Sequence, residues 1–204
     1  SWHGNTEKIG AAGSVTMISL KKWFGGETPD EEDDGTDLRL ESMRMSDLVD
    51  YDLKTWVVTG RCVYDYEGFP SQELQLTSGE EVRFLERSEE DGKTEWTLTR
   101  SIAIEEIQED VIAAISADQD PPDTIHFDSR AYKATESDSG VQRDVDRDGS
   151  TAASEDRHFV NWCYAAEDGR VLFVAQWNER RFTAYEGEYV EEYSFTDILP
   201  GGER

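Results

Sequence analysis

Basic residues are scarce in this chain of 204 residues. Its 20 lysines and arginines face 46 aspartates and glutamates, which gives a formal net charge of −26 at pH 7. Nucleic acids and anionic lipids are bound through concentrated basic faces, so this deficit excludes them as expected partners. Repulsion of this size destabilises a compact state unless salt screens it. We therefore predict a salt-adapted, halophilic prokaryotic protein, with a merely acidic mesophilic protein as the alternative.

Cysteines and long apolar runs are also scarce. The two cysteines, Cys62 and Cys163, each lie in a strand-like apolar stretch, which predicts buried thiols rather than a disulfide framework. No stretch reaches the roughly 20 apolar residues that a membrane-spanning helix needs. The start of the chain has no signal-peptide pattern. We expect a cytoplasmic protein without a membrane span.

The sequence lacks the common motifs of catalysis. It has no Gly-x-Ser-x-Gly elbow, His-Glu-x-x-His helix, Gly-x-x-x-x-Gly-Lys loop or Cys-x-x-Cys pair. His158 and Cys163 are five positions apart, so on one strand their side chains point to opposite faces. Paired carboxylates of the glycosidase type remain open, although 46 acidic residues make such pairs unspecific. The sequence therefore favours a non-catalytic protein.

The beginning of the chain differs in composition from the rest. Met17 opens a run that reads as a natural start, so we expect residues 1–16 to be an upstream extension or an expression remnant that is not native. Residues 25–37 form an acidic linker without apolar content. We predict that residues 1–44 are a flexible N-terminal segment and that residues 45–200 form a single β-rich domain.

Residues 45–200 show the alternation of apolar and polar residues that is typical of strands. In the strand predicted over residues 54–66, Gly60 marks a bulge or a close backbone approach, and one face carries Trp56, Val58, Cys62 and Tyr64. Residues 136–157 are small or charged and are expected to be a loop. The pattern predicts a mainly β (β-rich α+β) fold, in which two antiparallel meanders form a sandwich or a partly open barrel, with one helix near residues 104–116.

The two halves of this domain, residues 46–102 and 123–199, repeat one order of strands and turns. The first half contains in order Leu74-Gln75-Leu76, the turn Ser78-Gly79 and the strand Val82-Arg83-Phe84-Leu85. The second half contains in the same order Trp162-Cys163-Tyr164, the turn Asp168-Gly169 and the strand Val171-Leu172-Phe173-Val174. One meander cannot bury its apolar face alone, so we expect the halves to pack together. The alternative is that any two series of hairpins look alike.

Aromatic and turn positions also carry a family resemblance. The first half contributes Asp47-Leu48-Val49-Asp50-Tyr51, Trp56-Val57-Val58-Thr59-Gly60-Arg61 and Glu73-Leu74-Gln75-Leu76; the second contributes Trp162-Cys163-Tyr164, Gln176-Trp177 and Tyr185-Glu186-Gly187. Over about residues 45–200 the chain resembles an uncharacterised prokaryotic family known as domain of unknown function 4178. The resemblance implies a soluble β-rich domain without an established activity. Gln72 stands where the family commonly has an aromatic residue, and Gln176 where it commonly has a glutamate. If those groups bind a ligand in the family, this chain would have lost that binding.

Aromatic side chains supply the candidate ligand groove, which consists of Trp56, Tyr64, Trp162, Tyr164 and Trp177. Core packing is their alternative role, because large rings on alternating faces are usually buried. In an acidic field, such a groove suits a protein partner or a small polar or cationic ligand. The leading hypothesis is a non-catalytic binding or scaffold module. The alternative, an enzyme or accessory subunit in polyamine-related chemistry, depends only on the usual genomic surroundings of the family that the chain resembles.

Residues 144–155 match the calcium-binding loop of an EF-hand. The pattern supplies three carboxylates, a backbone carbonyl and a final bidentate glutamate as hard oxygen ligands, while Gly149 permits the sharp turn. The candidate ligands are Asp144, Asp146, Asp148, Ser150 and Glu155. Neither flank is an amphipathic helix, and Thr151 stands where an aliphatic residue is usual. A solvated acidic loop without calcium is therefore the alternative.

A calorimetric titration decides between these two interpretations of the loop. If it binds calcium, chelator-treated protein takes up about one Ca²⁺ per chain at or below millimolar concentration, because the carboxylates replace the water shell of the ion. The variant Asp148→Asn should then bind more weakly. Absence of heat at millimolar calcium would remove the hypothesis.

Overall fold

Alternation of apolar and polar residues makes most of this chain extended. The computed structural model describes residues 38–90, 92–151 and 156–202. The strands of the first half are β1 (Leu48–Tyr51), β2 (Lys54–Tyr66), β3 (Phe69–Ser78), β4 (Glu81–Glu90) and β5 (Lys93–Ile102). Those of the second half are β6 (Thr124–Phe127), β7 (Arg130–Asp144), β8 (Arg157–Ala166), β9 (Arg170–Asn178), β10 (Arg181–Val190) and β11 (Thr196–Leu199).

The strands form one antiparallel sheet that closes on itself. Their order is β11-β1-β2-β3-β4-β5-β10-β9-β8-β7-β6, and β2 also pairs with β7. This additional pairing joins β2–β5 and β7–β10 into an eight-stranded barrel, while β1 and β11 extend the sheet beyond β2 and β6 extends it beyond β7. The prediction of a mainly β, antiparallel fold with a barrel among its forms is confirmed.

One α-helix, α1 (Val111–Asp118), occurs in the described part of the chain. Asp110 caps it, since its side chain accepts a hydrogen bond from the Ala113 N–H at 3.0 Å. The sequence predicted a helix from residue 104, whereas Ile104–Glu106 form a separate turn of 3-10 helix and Ile107 is extended. The spacing of the apolar residues is typical of one long helix, but α1 begins only at Val111, after its cap Asp110.

The loop expected at residues 136–157 is a strand in its first part. Residues 136–144 continue β7 and pair with β8 from Glu136 opposite Cys163 to Gln142 opposite Arg157. The loop prediction was wrong there because a ladder is held by hydrogen bonds between backbone groups, which form whether the side chains are polar or apolar. Residues 145–151 lie between β7 and β8, as expected of a loop.

Both halves begin with the same arrangement of elements. A four-residue strand enters a two-residue turn with positive φ at both positions, Asp52 and Leu53 in the first half and Asp128 and Ser129 in the second. A long strand follows in each half, with a bulge at Thr59 in β2 and at Thr135 in β7. Three more barrel strands then complete each meander.

Apolar side chains form two clusters on the outer face of the barrel. The first cluster packs barrel residues against the segment before β1 and against β1 itself, and it contains Leu40, Met43, Val49, Trp56, Val58, Leu74, Leu76, Leu85, Trp96, Leu98 and Phe195. The second packs barrel residues against α1 and β6, and it contains Val111, Ile115, Ile125, Phe127, Tyr132, Trp162, Tyr164, Leu172 and Val174, among others. These side chains point outwards, because the elements that cover them are not barrel strands.

The packed unit begins before residue 45. Leu40 and Met43, which the sequence placed in the flexible N-terminal segment, are 1% and 0% exposed and complete the first outer cluster. The predicted acidic linker and the expected extension at residues 1–16 lie outside the described residues. No helix in residues 38–90, 92–151 and 156–202 has the length and apolar character to span a membrane.

The seam between β5 and β10 joins the two halves. Glu186 on β10 is buried and accepts hydrogen bonds from Arg170 Nε at 2.7 Å and from the Tyr132 hydroxyl at 3.3 Å. Arg100 Nε, on β5, lies 3.4 Å from its other carboxylate oxygen. At Gly187, next in the chain, a Cβ atom would lie 2.0 Å from the Leu98 carbonyl oxygen of β5.

We expect Gly187→Ala to destabilise the protein strongly. The added methyl group would overlap backbone atoms of β5, so the seam would have to separate, at the upper end of the roughly 1–3 kcal/mol typical of overpacking or beyond. Chemical denaturation followed by tryptophan fluorescence measures this change in the free energy of unfolding. Gly202→Ala is the matched control, because nothing lies within 4 Å of its added Cβ. Equal stability of the two variants would contradict the described packing of the seam.

Candidate functional site

Bulges decide which side chains of β2 and β7 enter the barrel. The register of β2 against β3 shifts between Val58 and Gly60, so Thr59 is an extra residue. An extra residue exchanges the two faces of a strand. Trp56, before the bulge, therefore joins the first outer cluster, whereas Tyr64, after it, points to the other side.

Side chains on this other side meet inside the barrel, the lumen. Tyr66 of β2 reaches Glu86 of β4, and Phe84 of β4 contacts Tyr185 of β10. Tyr64 of β2 likewise contacts Phe159 of β8. Since the strands of each pair are not neighbours in the sheet, these contacts are made across the lumen.

Two glutamates face each other in the lumen. Glu73 on β3 and Glu86 on β4 are direct cross-strand partners, a position in which like charges repel. Both side chains are surrounded by protein, although each keeps part of its surface accessible. Neither carboxylate forms a salt bridge with a lysine, arginine or histidine of the described residues.

Hydroxyl and thiol groups donate to the two carboxylates. Glu73 accepts from the Tyr64 hydroxyl at 3.2 Å and from the Cys62 thiol at 3.3 Å. Glu86 accepts from the Tyr66 hydroxyl at 3.2 Å and from the Ser71 hydroxyl. These donors are neutral groups, so they hold the carboxyl oxygens in place without supplying a positive charge.

This environment raises the pKa of both carboxyl groups. Burial and then the nearby Glu86 raise the pKa of Glu73 to about 8. Burial likewise raises the pKa of Glu86. With a pKa of about 8, the Glu73 carboxyl group holds a proton near neutral pH and exchanges it in the range in which most proteins work.

An aromatic wall stands beside the carboxylate pair. The Phe159 ring makes edge contacts with Tyr64 and Tyr66, at centroid distances of 5.7 and 5.5 Å, and a tilted contact with Trp177 at 5.3 Å. Trp177 Nε1 donates to the Thr183 hydroxyl at 2.9 Å, which fixes the indole. The lumen thus combines carboxylates with ring faces and edges.

A recess of about 350 Å³ opens at the end of the barrel where β2 turns into β3. It is lined by Tyr66, Glu67, Phe69, Ser137, Asp138, Ser139 and Val160. Burial and the charge of Glu67 raise the pKa of Asp138. The side chain of Tyr66 lines the recess and also bonds Glu86, so it links this acidic mouth to the lumen.

The five residues of the predicted groove do not form one site. Tyr64 and Trp177 both contact Phe159 in the lumen. Trp56 belongs to the first outer cluster, and Trp162 and Tyr164 belong to the second. Trp56 faces outwards because it precedes the bulge at Thr59. Trp162 and Tyr164 face outwards because they lie on the outer face of β8.

The predicted calcium loop is only partly within the described residues, because Glu155 lies outside them. Asp144 pairs with Arg157, and the Ser150 carbonyl accepts from the Asp146 N–H at 2.8 Å. The Asp148 carboxylate accepts from the N–H and the hydroxyl of Ser150. Calcium binding by Asp144, Asp146, Asp148, Ser150 and Glu155 stays a prediction.

A second group of potential metal ligands was missed in the sequence. Glu136, Asp138 and Cys163 hold their ligand atoms within 4.8 Å of one another, because β7 and β8 pair there after the bulge at Thr135. Burial and then the two carboxylates raise the pKa of the Cys163 thiol, which opposes the thiolate that a metal would need.

Glu73 and Glu86 were also missed as a pair. Each alternates with outward-facing leucines, Leu74 and Leu85, a pattern that usually indicates a solvent-exposed polar face. Only closure of the barrel turns that polar face into a lumen. A search for acidic residues directly opposite each other on successive predicted strands would have found the pair.

Sequence comparisons agree with the resemblance described above. The chain matches the family described as "Domain of unknown function (DUF4178)" over residues 44–192. It is similar to a protein of Aquifex aeolicus (strain VF5), named there "Uncharacterized protein", with 25% identity over 181 residues, 89% of this chain and 96% of that protein. No solved structure matches.

The raised pKa of Glu73 predicts that the protein loses stability as the pH rises. The unfolded pKa is 4.5 and the folded pKa about 8, so between these values the folded state carries a proton that the unfolded state lacks. The free energy of unfolding should fall over this range, by at most about 1.4 kcal/mol per pH unit, and level off above it. Urea denaturation at constant ionic strength measures it. Glu73→Gln should flatten the profile, whereas Glu80→Gln, an exposed control, should not; a flat wild-type profile would refute the prediction.

Proposed function

Because the chain belongs to the DUF4178 family, whose description gives no function, we propose from the residues of the lumen that this protein is non-catalytic and binds a small organic cation inside the barrel. The cross-strand pair Glu73 and Glu86 is the observation that carries this proposal. Two enclosed carboxylates without a described cationic partner need either a proton or a bound cation to offset their repulsion.

The aromatic wall favours an organic ammonium group over a bare metal ion. Ring faces of Trp and Tyr attract a cation that keeps its methyl or methylene groups against them. Phe159 and Tyr64 supply such rings beside Glu73, which Tyr64 bonds directly, and Trp177 extends the wall with the Arg181 guanidinium over its ring. A hard divalent ion would instead require six to eight oxygen ligands, whereas the thiol of Cys62 and the ring of Phe159 occupy part of this wall.

The acidic mouth supports the same class of ligand. Glu67 and Asp138 line the recess, and Tyr66, which lines it too, donates a hydrogen bond to Glu86. A cleft lined by charge of one sign concentrates ions of the opposite sign and raises their rate of association. With a net charge of −26, the whole chain adds to that attraction for cations.

The proposal also covers the cellular environment in which the protein works. We propose a saline cytoplasm of a prokaryote, since salt screens the mutual repulsion of the acidic residues. A protein partner on the outside of the barrel is compatible with the ligand in the lumen, and calcium at residues 144–155 would be a separate site.

Choline is a suitable probe for the proposed cation site. We expect millimolar or tighter binding of choline by isothermal titration calorimetry at pH 8 and fixed ionic strength, because its trimethylammonium group matches the rings and the carboxylates. Its neutral isostere, 3,3-dimethylbutan-1-ol, should not bind measurably. Equal binding of the two compounds, or binding of neither, would contradict the proposal.

Variants of the carboxylates locate the site. Glu73→Gln and Glu86→Gln should each weaken choline binding about tenfold or more, since each removes one of the two charges. Glu80→Gln is the matched control: it is exposed and changes the net charge by the same amount, so its binding should equal that of the wild type. Weakening by all three variants alike would indicate a general effect of net charge and overturn the assignment to the lumen.

A further inference from the structure

Building on the proposed cation site, we propose that the barrel exchanges a proton for its ligand: uptake of the cation releases one proton from the pair formed by Glu73 and Glu86. The pair is symmetrical in its surroundings, because each carboxylate receives a tyrosine hydroxyl and one further donor. Its members face each other directly across two adjacent strands. In the empty lumen one proton shared by the pair removes the repulsion that two anions would suffer there.

The proton and the cation compete for the same place. When the ammonium group enters, the O–H bond of the protonated carboxyl group breaks, the proton leaves to water or buffer, and the cation takes over its charge. No other reactant is needed, and the charge of the lumen stays the same before and after. The exchange therefore needs no change of fold, only replacement of one positive charge by another.

Other titratable groups that face the pair keep their protons over the relevant range. These groups are Cys62, Tyr64 and Tyr66 from β2, Cys163 from β8 and Tyr185 from β10. Burial is the first cause that raises the pKa of each of them above its ordinary value. Arg181, stacked over Trp177 at 5.7 Å, is the cation near this end of the wall and acts on Tyr185. Glu73, with a pKa of about 8, therefore titrates in a range in which these cysteines and tyrosines keep their protons.

Exchange of the cation for a proton makes the affinity of the protein for the cation rise with pH. Below the pKa of Glu73, about 8, each molecule of cation must displace a proton, so the apparent association constant should rise about tenfold per pH unit and become constant above that pH. A protein of this kind holds its ligand in neutral to alkaline surroundings and releases it on acidification.

Calorimetry with choline tests the coupling. At pH 6.5 the heat should change linearly with the ionisation enthalpy of the buffer, with a slope of about one proton released per choline bound. At pH 9.5 the slope should be close to zero. Glu73→Gln should bind choline more weakly with a reduced proton slope at pH 6.5, while Glu80→Gln should behave as the wild type.

The outcomes separate this proposal from the one on which it depends. Choline binding with equal affinity and no proton release at pH 6.5 and 9.5 would overturn the exchange and leave the cation site standing. No binding at any pH would overturn both. Proton release that Glu73→Gln and Glu86→Gln leave unchanged would place the exchanging group elsewhere and also refute the proposal.

Discussion

Four residue pairs between β2 and β7 hold the structure in its functional form. They join Cys62–Asp65 to residues 141–144 and close a sheet that otherwise ends in open edges. Gln142 of β7 reinforces this closure, because its amide donates to the Tyr64 hydroxyl at 2.8 Å and to the Cys62 sulfur at 3.3 Å. Both of these groups in turn donate to Glu73. The contacts that close the barrel and the contacts that position the candidate ligand groups are therefore the same chain of hydrogen bonds.

Small barrels usually fill their interior with apolar side chains, and this one arranges its residues differently. Its apolar clusters lie on the outside, beneath β1, β6 and α1. Hydrophobic stabilisation comes from these covered faces, so the inner face is released from the need for a dry core. Polar and ionisable residues can therefore line the lumen, where burial changes their pKa values.

The class of the fold could be read from local patterns, whereas the site depended on where those patterns are interrupted. Strict alternation located β2 and its turn to β3, but it assigned Trp56 and Tyr64 to one face because the effect of one extra residue at Thr59 propagates to every later side chain. The polar strand at residues 136–144 was hidden for another reason, since its partners lie in β8 and no local signal reports them. Glu73 resembled an ordinary exposed residue for the same reason, because enclosure results from pairings far apart in the sequence.

The two halves are alike in architecture and unlike in what they offer the lumen. The pairing of β11 with β1 adds a further connection between the halves. At the position of the Glu73–Glu86 pair, however, the second meander carries Asn161 opposite Ala175. The paired buried carboxylates therefore lie on the wall that the first half builds, whereas Glu136 and Asp138 of the second half lie beside Cys163. An asymmetric guest would enter with a fixed polarity, its charged head against that wall and its uncharged remainder towards the other.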